Sequence, residues 1–271
     1  MEQVIPGLKE HQVLLEPQAK NTAPALLWGI STLKNMVADE PVVILAADHL
    51  IQAPDRFREA LLQAQQLAEE GFIVTFGIKP DRPETGYGYV CAGEPCGPGF
   101  KVKEFLEKPS QEKAEKFVAS SQYTWNAGIF MATVKTWKKE FISYAPDLAK
   151  LFIKDESLTD LMDHERDYNI FAKSPNIYID YAVMEHSDRV TVLPVEMGWS
   201  DLGCWESIYQ VSEKDVNGNV IRGNDISHET SNSLIFSTKK LVTSIGVETV
   251  SYTHLRAHET VLDLVCRLLL E

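Results

Sequence analysis

The sequence predicts an α/β protein with a mixed, mainly parallel sheet flanked by helices. Three observations carry this. VVILAADH at 42–49 opens on an apolar run without alternation, as in a strand covered on both faces. APDRFREALLQAQQLAEEG at 53–71 is amphipathic at helical spacing. FIVTFGIKP at 72–80 is a second continuous apolar strand, so strand, helix and strand alternate as in a parallel βαβ unit.

The elements follow in order. VLLEPQAKNTAPALLWGISTLKNM at 13–36 reads as a short strand, a loop and a helix, with Asn21 or Thr22 as cap and Pro24 in the first turn. The buried strand at 42–48 comes next. In the helix that follows, Asp55 lies in the first turn and Gly71 is placed to end it. After the strand at 72–80, PDRPETGYGYVCAGEP forms a loop leading into a more exposed strand. FKVKEFLEKPSQEKAEKFVASSQ supplies a strand, a turn at Lys108–Pro109 and a helix. YTWNAGIFMATVKTWKKEFISYAPDL gives a buried strand and another helix, and the chain to about Lys173 is mostly polar helix. VTVLPVEMGWSDLGCWESIYQV is a strand, a loop and a helix. Asn217-Gly218 is the strongest hairpin signal in the chain, and β-rich, turn-rich sequence continues from there. The expected division is a nucleotide-chemistry domain over 1–215, the start of a β-rich region over 216–248, and a separate tail over 249–271.

Composition narrows the function. The chain has 271 residues and a formal net charge of −13, which argues against a nucleic-acid partner. An anionic small molecule would need local cations or a metal to offset that field. The four cysteines form no CxxC pair, so neither a zinc ribbon nor a thioredoxin-type site is written here. Cys91 and Cys96 flank AGEP and are close enough in sequence to pair, although two free thiols fit a cytoplasmic chain better. MEQVIPGLKEH carries no signal-peptide pattern, and no apolar run is long enough for a membrane span.

Several residues can do chemistry. Ligands of open α/β sheets bind beyond the carboxyl ends of the strands, where Asp48 is expected to project. A carboxylate there suits Mg²⁺ beside phosphates, and a capping or loop aspartate would read the same way. Asp201, in GWSDLG, follows another strand and could share one Mg²⁺ with Asp48, or be a turn residue. His49 alone reads as structural. Thr85-Gly86-Tyr87-Gly88 permits close backbone approach to a ligand or makes a simple turn. Glu107-Lys108-Pro109 sets an acceptor of hydroxyls beside a cation for a phosphate, or is a surface pair. Asn126, in WNAGIF, needs a partner beside its buried strand: a ligand hydroxyl or a backbone group.

EPQAKNTAPA, LAADH, TGYGYV, FLEKP, WNAGIF, IDYAVME and GWSDLGCW occur in the order found in mannose-1-phosphate guanylyltransferases, from about Leu14 to Glu248. The chain resembles that family, and NTAPA and IDYAVME favour it over the thymidylyl- and uridylyl-transferring branches. The resemblance implies a Rossmann-like nucleotide-diphospho-sugar transferase fold, with GTP and mannose 1-phosphate as substrates and Mg²⁺ as cofactor. It places Asn21 and Thr22 near the guanine, and makes Asp48 and Asp201 the metal ligands. It gives Gly86, Glu107 and Asn126 to the mannose and Lys108 to the sugar phosphate. It counts Asp180 among the substrate-binding residues without a role that the residues themselves supply. Ala46 stands where the family usually has Pro. A homo-oligomer fits the resemblance, which also implies a cytoplasmic enzyme. A sister sugar-1-phosphate nucleotidyltransferase would share these motifs. A non-catalytic sugar-nucleotide-binding regulator could dispense with Asp48 and Asp201, and both are present.

The ends depart from the pattern. No Gly-rich phosphate loop precedes Val13, so an N-terminal strand and loop are expected to be missing and the chain as written to be inactive. The run from about Thr249 to Glu271 resembles an in-frame translation of sequencing-library adapter. On that reading His254, His258 and Cys266 carry no biological information.

Overall fold

The computed structural model describes residues 7, 9, 12–33, 39–153, 164–238 and 240–254. In chain order these form α1 (Thr22–Thr32), β1 (Pro41–Ile44), β2 (Leu50–Ile51), α2 (Pro54–Glu69), β3 (Ile73–Ile78), β4 (Tyr89–Cys96), β5 (Gly99–Leu106), α3 (Gln111–Ala119) and β6 (Tyr123–Thr133). There follow α4 (Val134–Tyr144), α5 (Pro146–Phe152), α6 (His164–Lys173), a π-helical turn (Asp180–Met184), β7 (Val190–Pro194), β8 (Trp199–Ser200) and α7 (Trp205–Val211). The last strands are β9 (Val220–Arg222), β10 (Asp225–His228), β11 (Leu234–Ser237), β12 (Val242–Ile245) and β13 (Ser251–His254). The chain divides into two compact units, residues 1–46 with 53–197, and residues 47–52 with 198–271.

The first unit is built on a six-stranded sheet in the order β1-β6-β3-β7-β5-β4. β1, β3, β7 and β4 share one direction, and β6 and β5 run against them. The sheet is therefore mixed and mainly parallel in strand direction, although β3–β7 is the one parallel pair of neighbours among the described strands. Alternation along β3 sends Ile73 and Thr75 to one face and Val74 and Phe76 to the other. Ile73 joins an apolar cluster with Leu27 and Trp28 of α1, Trp137 and Phe141 of α4, and Phe171 of α6. Phe76 meets Phe57 of α2 on the opposite face, ring centroids 5.8 Å apart. Pro54 opens α2, Asp55 lies in its first turn, and Gly71 at φ +85 follows its end.

Two expectations change here. The run at 42–49 is a short strand at one edge of the described sheet, its four residues all half-buried. Leu45 is 55% exposed. A continuous apolar run reports two covered faces, but not whether a strand has neighbours on both sides. At the start of α1, Asn21 occupies the cap position without capping; its side chain donates instead to Asn176 Oδ1.

In the second unit β2 and β8 form a two-stranded antiparallel ladder, Leu50 opposite Ser200. β9, β11 and β13 pair in parallel, as do β10 and β12, so the chain winds in coils rather than hairpins. Asn217-Gly218 accordingly makes no hairpin. Asp215 accepts from the backbone N–H groups of Asn217 and Asn219, closing an aspartate turn that leads from α7 into β9. The local turn chemistry was legible, but a hairpin also needs antiparallel strands on both sides. Residues 249–254, which include β13, are the described part of the expected tail, and residues 255–271 lie outside the described ones. Cys91, Cys96 and Cys204 are free thiols. No helix among the described residues is long and apolar enough to cross a membrane.

One coil depends on a glycine. Gly223 sits at φ +104, and a Cβ there would overlap the Ser237 carbonyl oxygen. Gly223→Ala should destabilise the second unit by roughly 2–3 kcal/mol, beyond the ~1 kcal/mol of an unstrained Gly/Ala exchange. Hydrogen exchange should show protection lost over 220–237 and retained over β3 and β6. Unchanged protection in the coil would refute the constraint.

Candidate active site

The sheet of the first unit gathers a polar cluster on the face it shares with the π-helical turn. Its centre is Asn126 on β6. Between β3 and β6 the register slips: Thr75 faces Phe130, yet Gly77 faces Asn126, so β6 carries two extra residues. Gly128 lies in this bulge at φ +65, a backbone that β-carbon-bearing residues adopt at a cost. The bulge turns the Asn126 side chain back along its own strand. Its Oδ1 accepts from Gly128 N at 3.2 Å and from Thr75 Oγ1 at 2.7 Å. Its Nδ2 donates to Asp180 Oδ1 at 3.1 Å. Of the two partners that the sequence left open, the backbone group is present as Gly128 N, and the side chains of Thr75 and Asp180 are partners it did not name.

β5 ends beside this group. Glu107 is 9% exposed in its side chain, and its backbone N–H donates to Glu185 Oε1 at 3.0 Å. Lys108 follows at φ +49, its Nζ 3.8 Å from Glu107 Oε1 and 4.3 Å from the centre of the Tyr178 ring. Three carboxylates therefore face one nearby ammonium. Burial pushes the Glu107 carboxyl up to about 7, the Asp180 charge adds to the rise, and Lys108 opposes it. Burial likewise pushes Asp180 up to about 6, against a backbone N–H and Lys108. Such groups gain from a ligand that donates hydrogen bonds to carboxylates without bringing negative charge.

Of the two glycines in the TGYG loop, Gly88 is the one packed against the cluster. A Cβ there would lie 2.5 Å from Glu107 Oε2 and 3.3 Å from Asn126 Cβ. Gly86 is exposed, and its N–H donates to Glu84. Asn21 and Thr22 sit where α1 meets the segment before the π-helical turn. The Thr22 hydroxyl accepts from Ile179 N at 2.9 Å, and Asn21 Nδ2 is 2.5 Å from Asn176 Oδ1. Sequence reasoning passed over Thr75, Tyr178 and Glu185. Glu185 is the last residue of IDYAVME and Thr75 the one hydroxyl in the buried IVTFGI strand, so both left a signal.

The second unit holds Asp48 and Asp201. The antiparallel ladder sets position 201 opposite 49, and the His49 ring feels both carboxylates. Asp201 Oδ1 accepts from Gly203 N at 3.1 Å. His49 Nδ1 accepts from Trp199 Nε1 at 3.2 Å, which commits that nitrogen to an unprotonated form. Burial lowers the His49 pKa, while Asp48 and Asp201 raise it. Two half-exposed carboxylates beside a neutral imidazole fit a hard cation with oxygen ligands. Among the described residues no group of three or more His, Cys, Asp or Glu gathers for a metal, so other ligand positions on such an ion would belong to substrate and water.

A mixed α/β sheet with acidic and cationic groups gathered beyond a strand end has the architecture of an α/β fold that binds ligands there. Residues 7–218 match the family model described as Nucleotidyl transferase, and the chain belongs to that family. It is 40% identical over 245 residues to a mannose-1-phosphate guanylyltransferase of Escherichia coli (strain K12), covering 87% of this chain and 51% of that protein. A mannose-1-phosphate guanylyltransferase of Salmonella montevideo is 38% identical over 245 residues, with the same coverage. The chain spans about half the length of these curated relatives. The crystal structure described as mannose-1-phosphate geranyltransferase from Thermus thermophilus superposes with a TM-score of 0.81 at 30% identity, over 94% of this chain and 77% of that one. The nucleotide-diphospho-sugar transferase fold implied by the motifs is thus the fold observed.

The raised carboxyls predict a pH dependence. The folded state holds protons on Glu107 and Asp180 that the unfolded chain has released. Their contribution is full below the ordinary value of 4.5 or 3.8 and is lost as pH rises through about 7 and 6. Glu107→Gln, which stays neutral, should therefore gain in thermal midpoint relative to wild type between pH 5 and pH 8, by a few degrees. A constant difference across that range would contradict the burial argument.

Proposed function

We propose that the chain is the nucleotidyltransferase part of a mannose-1-phosphate guanylyltransferase, acting on GTP and mannose 1-phosphate and releasing pyrophosphate and GDP-mannose. The observation that carries this reading is the buried Glu107–Asn126–Asp180 cluster. It offers carboxylate acceptors and an amide donor, with Lys108 beside them for a phosphate. The named relatives and the ordered motifs support it independently.

The reaction needs little covalent help from the protein. An oxygen of the sugar phosphate attacks the α-phosphorus of GTP in line, a new P–O bond forms, and the bond to the bridging oxygen breaks with its electrons on pyrophosphate. The nucleophile is already an anion, so no strong general base is required. Catalysis is positioning and charge neutralisation. Lys108, held over Tyr178, offsets the sugar phosphate. Glu107 and Asp180 accept from sugar hydroxyls, whose hydrogen bonds favour the ionised carboxylates that burial alone disfavours. Asn126 Nδ2 donates to a hydroxyl oxygen. Gly86 and its loop would lie along the sugar, and Asn21 and Thr22 would lie near the guanine. Asp48 and Asp201 would hold Mg²⁺, which when bound supplies charge neutralisation to the phosphates. A cytoplasmic site of action belongs to the same reading.

In the intact enzyme of which this chain is proposed to be a part, Asp48→Asn and Asp201→Asn should each lower GDP-mannose formation at least roughly 100-fold and shift its Mg²⁺ dependence, since each removes a charged ligand. Wild-type Mg²⁺ titrations in both variants would remove the metal assignment. Glu107→Ala and Asn126→Ala should raise KM for mannose 1-phosphate by about 5- to 150-fold, the 1–3 kcal/mol of an unpaired hydroxyl, and leave KM for GTP nearly unchanged. Equal losses for the two substrates would assign both residues to the scaffold.

A further inference from the structure

We propose that Thr75 is a positioning residue for sugar recognition: together with the Gly128 N–H, its hydroxyl fixes the Asn126 amide so that the NH₂ edge faces Asp180 and the sugar. This deepens the reading that mannose 1-phosphate is the substrate, and rests on it.

Thr75 is fully buried in β3, where every other residue is apolar or glycine. Its Oγ1 lies 2.7 Å from Asn126 Oδ1 and 3.4 Å from the Ile129 carbonyl. A hydroxyl has one hydrogen, and the shorter contact takes it. Gly128 N can only donate, so the amide atom 3.2 Å from it is the oxygen. The oxygen then has two donors on one side, and Nδ2 is directed to Asp180 at 3.1 Å. Asp180 takes one Nδ2 hydrogen. The other has no acceptor among the described residues and is available to a ligand hydroxyl. The β6 bulge makes the arrangement possible, because a regular register continued from the Thr75–Phe130 pair would set Asn126 two β3 residues further away.

With Thr75 unable to donate, the Asn126 oxygen keeps only the longer of its two bonds. The amide can then turn, presenting its oxygen to Asp180 and to the sugar, where acceptor meets acceptor. A threonine that merely fills the core would have no such effect, and that difference is measurable. Thr75→Val keeps the shape and removes the hydroxyl, and Thr75→Ser restores it.

The full chain and both variants are compared in two ways. The side-chain amide signals of Asn126, identified by their loss in Asn126→Ala, are followed by NMR. Binding of mannose 1-phosphate and of GTP is followed by calorimetry. Wild type and Thr75→Ser should show slowly exchanging Asn126 amide protons, and Thr75→Val should exchange at least about tenfold faster. Mannose 1-phosphate should bind roughly 5- to 10-fold more weakly to Thr75→Val and normally to Thr75→Ser, with GTP binding equal in all three. Protected amide protons in Thr75→Val, or equal losses in the Ser and Val variants, would overturn the proposal. If wild type binds no mannose 1-phosphate, the substrate reading falls and the amide exchange alone decides the role of Thr75. Should Thr75→Val not fold, Thr75→Ala makes the same comparison.

Discussion

The bulge in β6 is the constraint on which the candidate sugar site depends. A regular ladder would alternate the residues of β6 strictly between the two faces and pair each with one neighbour on β3. Two extra residues between the Phe130 and Asn126 pairings break that rule. They bring the Asn126 amide, the Thr75 hydroxyl and the Gly128 N–H to one point. The bulge needs Gly128 at φ +65, so one glycine links a backbone conformation to the chemistry of a site. β4 then pairs with the start of β6, and Asn126 N donates to Gly88 O at 2.8 Å, which carries the TGYG loop to the same place.

Electrostatic cost is the second organising feature. Placing Glu107, Asp180 and Glu185 close together, with two of them largely buried and Lys108 as the nearby cation, works against folding at neutral pH. The rest of the unit must carry that cost, and its layered core can. Trp137, Phe141, Phe171, Leu27 and Ile73 are fully buried on the same side of the sheet. Stability given up at the cluster is the expected counterpart of a site that waits for hydroxyl donors.

Much of this was legible in the sequence, for identifiable reasons. Helix α2 announced itself through periodicity, Asp55 and Gly71, all local signals. Asp48, Glu107, Lys108, Asn126 and Asp201 stood out because polar residues at the ends of apolar runs need partners. What could not be read is which partners they find. Asn126 and Asp180 are 54 residues apart, Thr75 and Asn126 are 51, and Glu107 and Glu185 are 78. Strand order decides those meetings, and no local pattern encodes it. The same limit explains the strand at 42–49, whose edge position depends on its neighbours. It also explains Asn217-Gly218, whose turn was legible and whose parallel continuation was not.

The two groups of carboxylates show how burial sorts one functional group between two tasks. Asp48 and Asp201 are half-exposed on short ladder ends, with Asp201 already turned toward a backbone N–H. An ion that arrives hydrated can exchange water for such accessible oxygens. Glu107 and Asp180 are withdrawn from water among Tyr178, Gly88 and Asn126, where a free cation would also have to lose its hydration. The uncharged hydroxyl face of a sugar meets no such penalty, because its hydroxyls supply the hydrogen bonds that water no longer does. On the proposed function, burial separates a candidate place for metal and phosphate from a candidate place for sugar, using the same carboxylate chemistry in both.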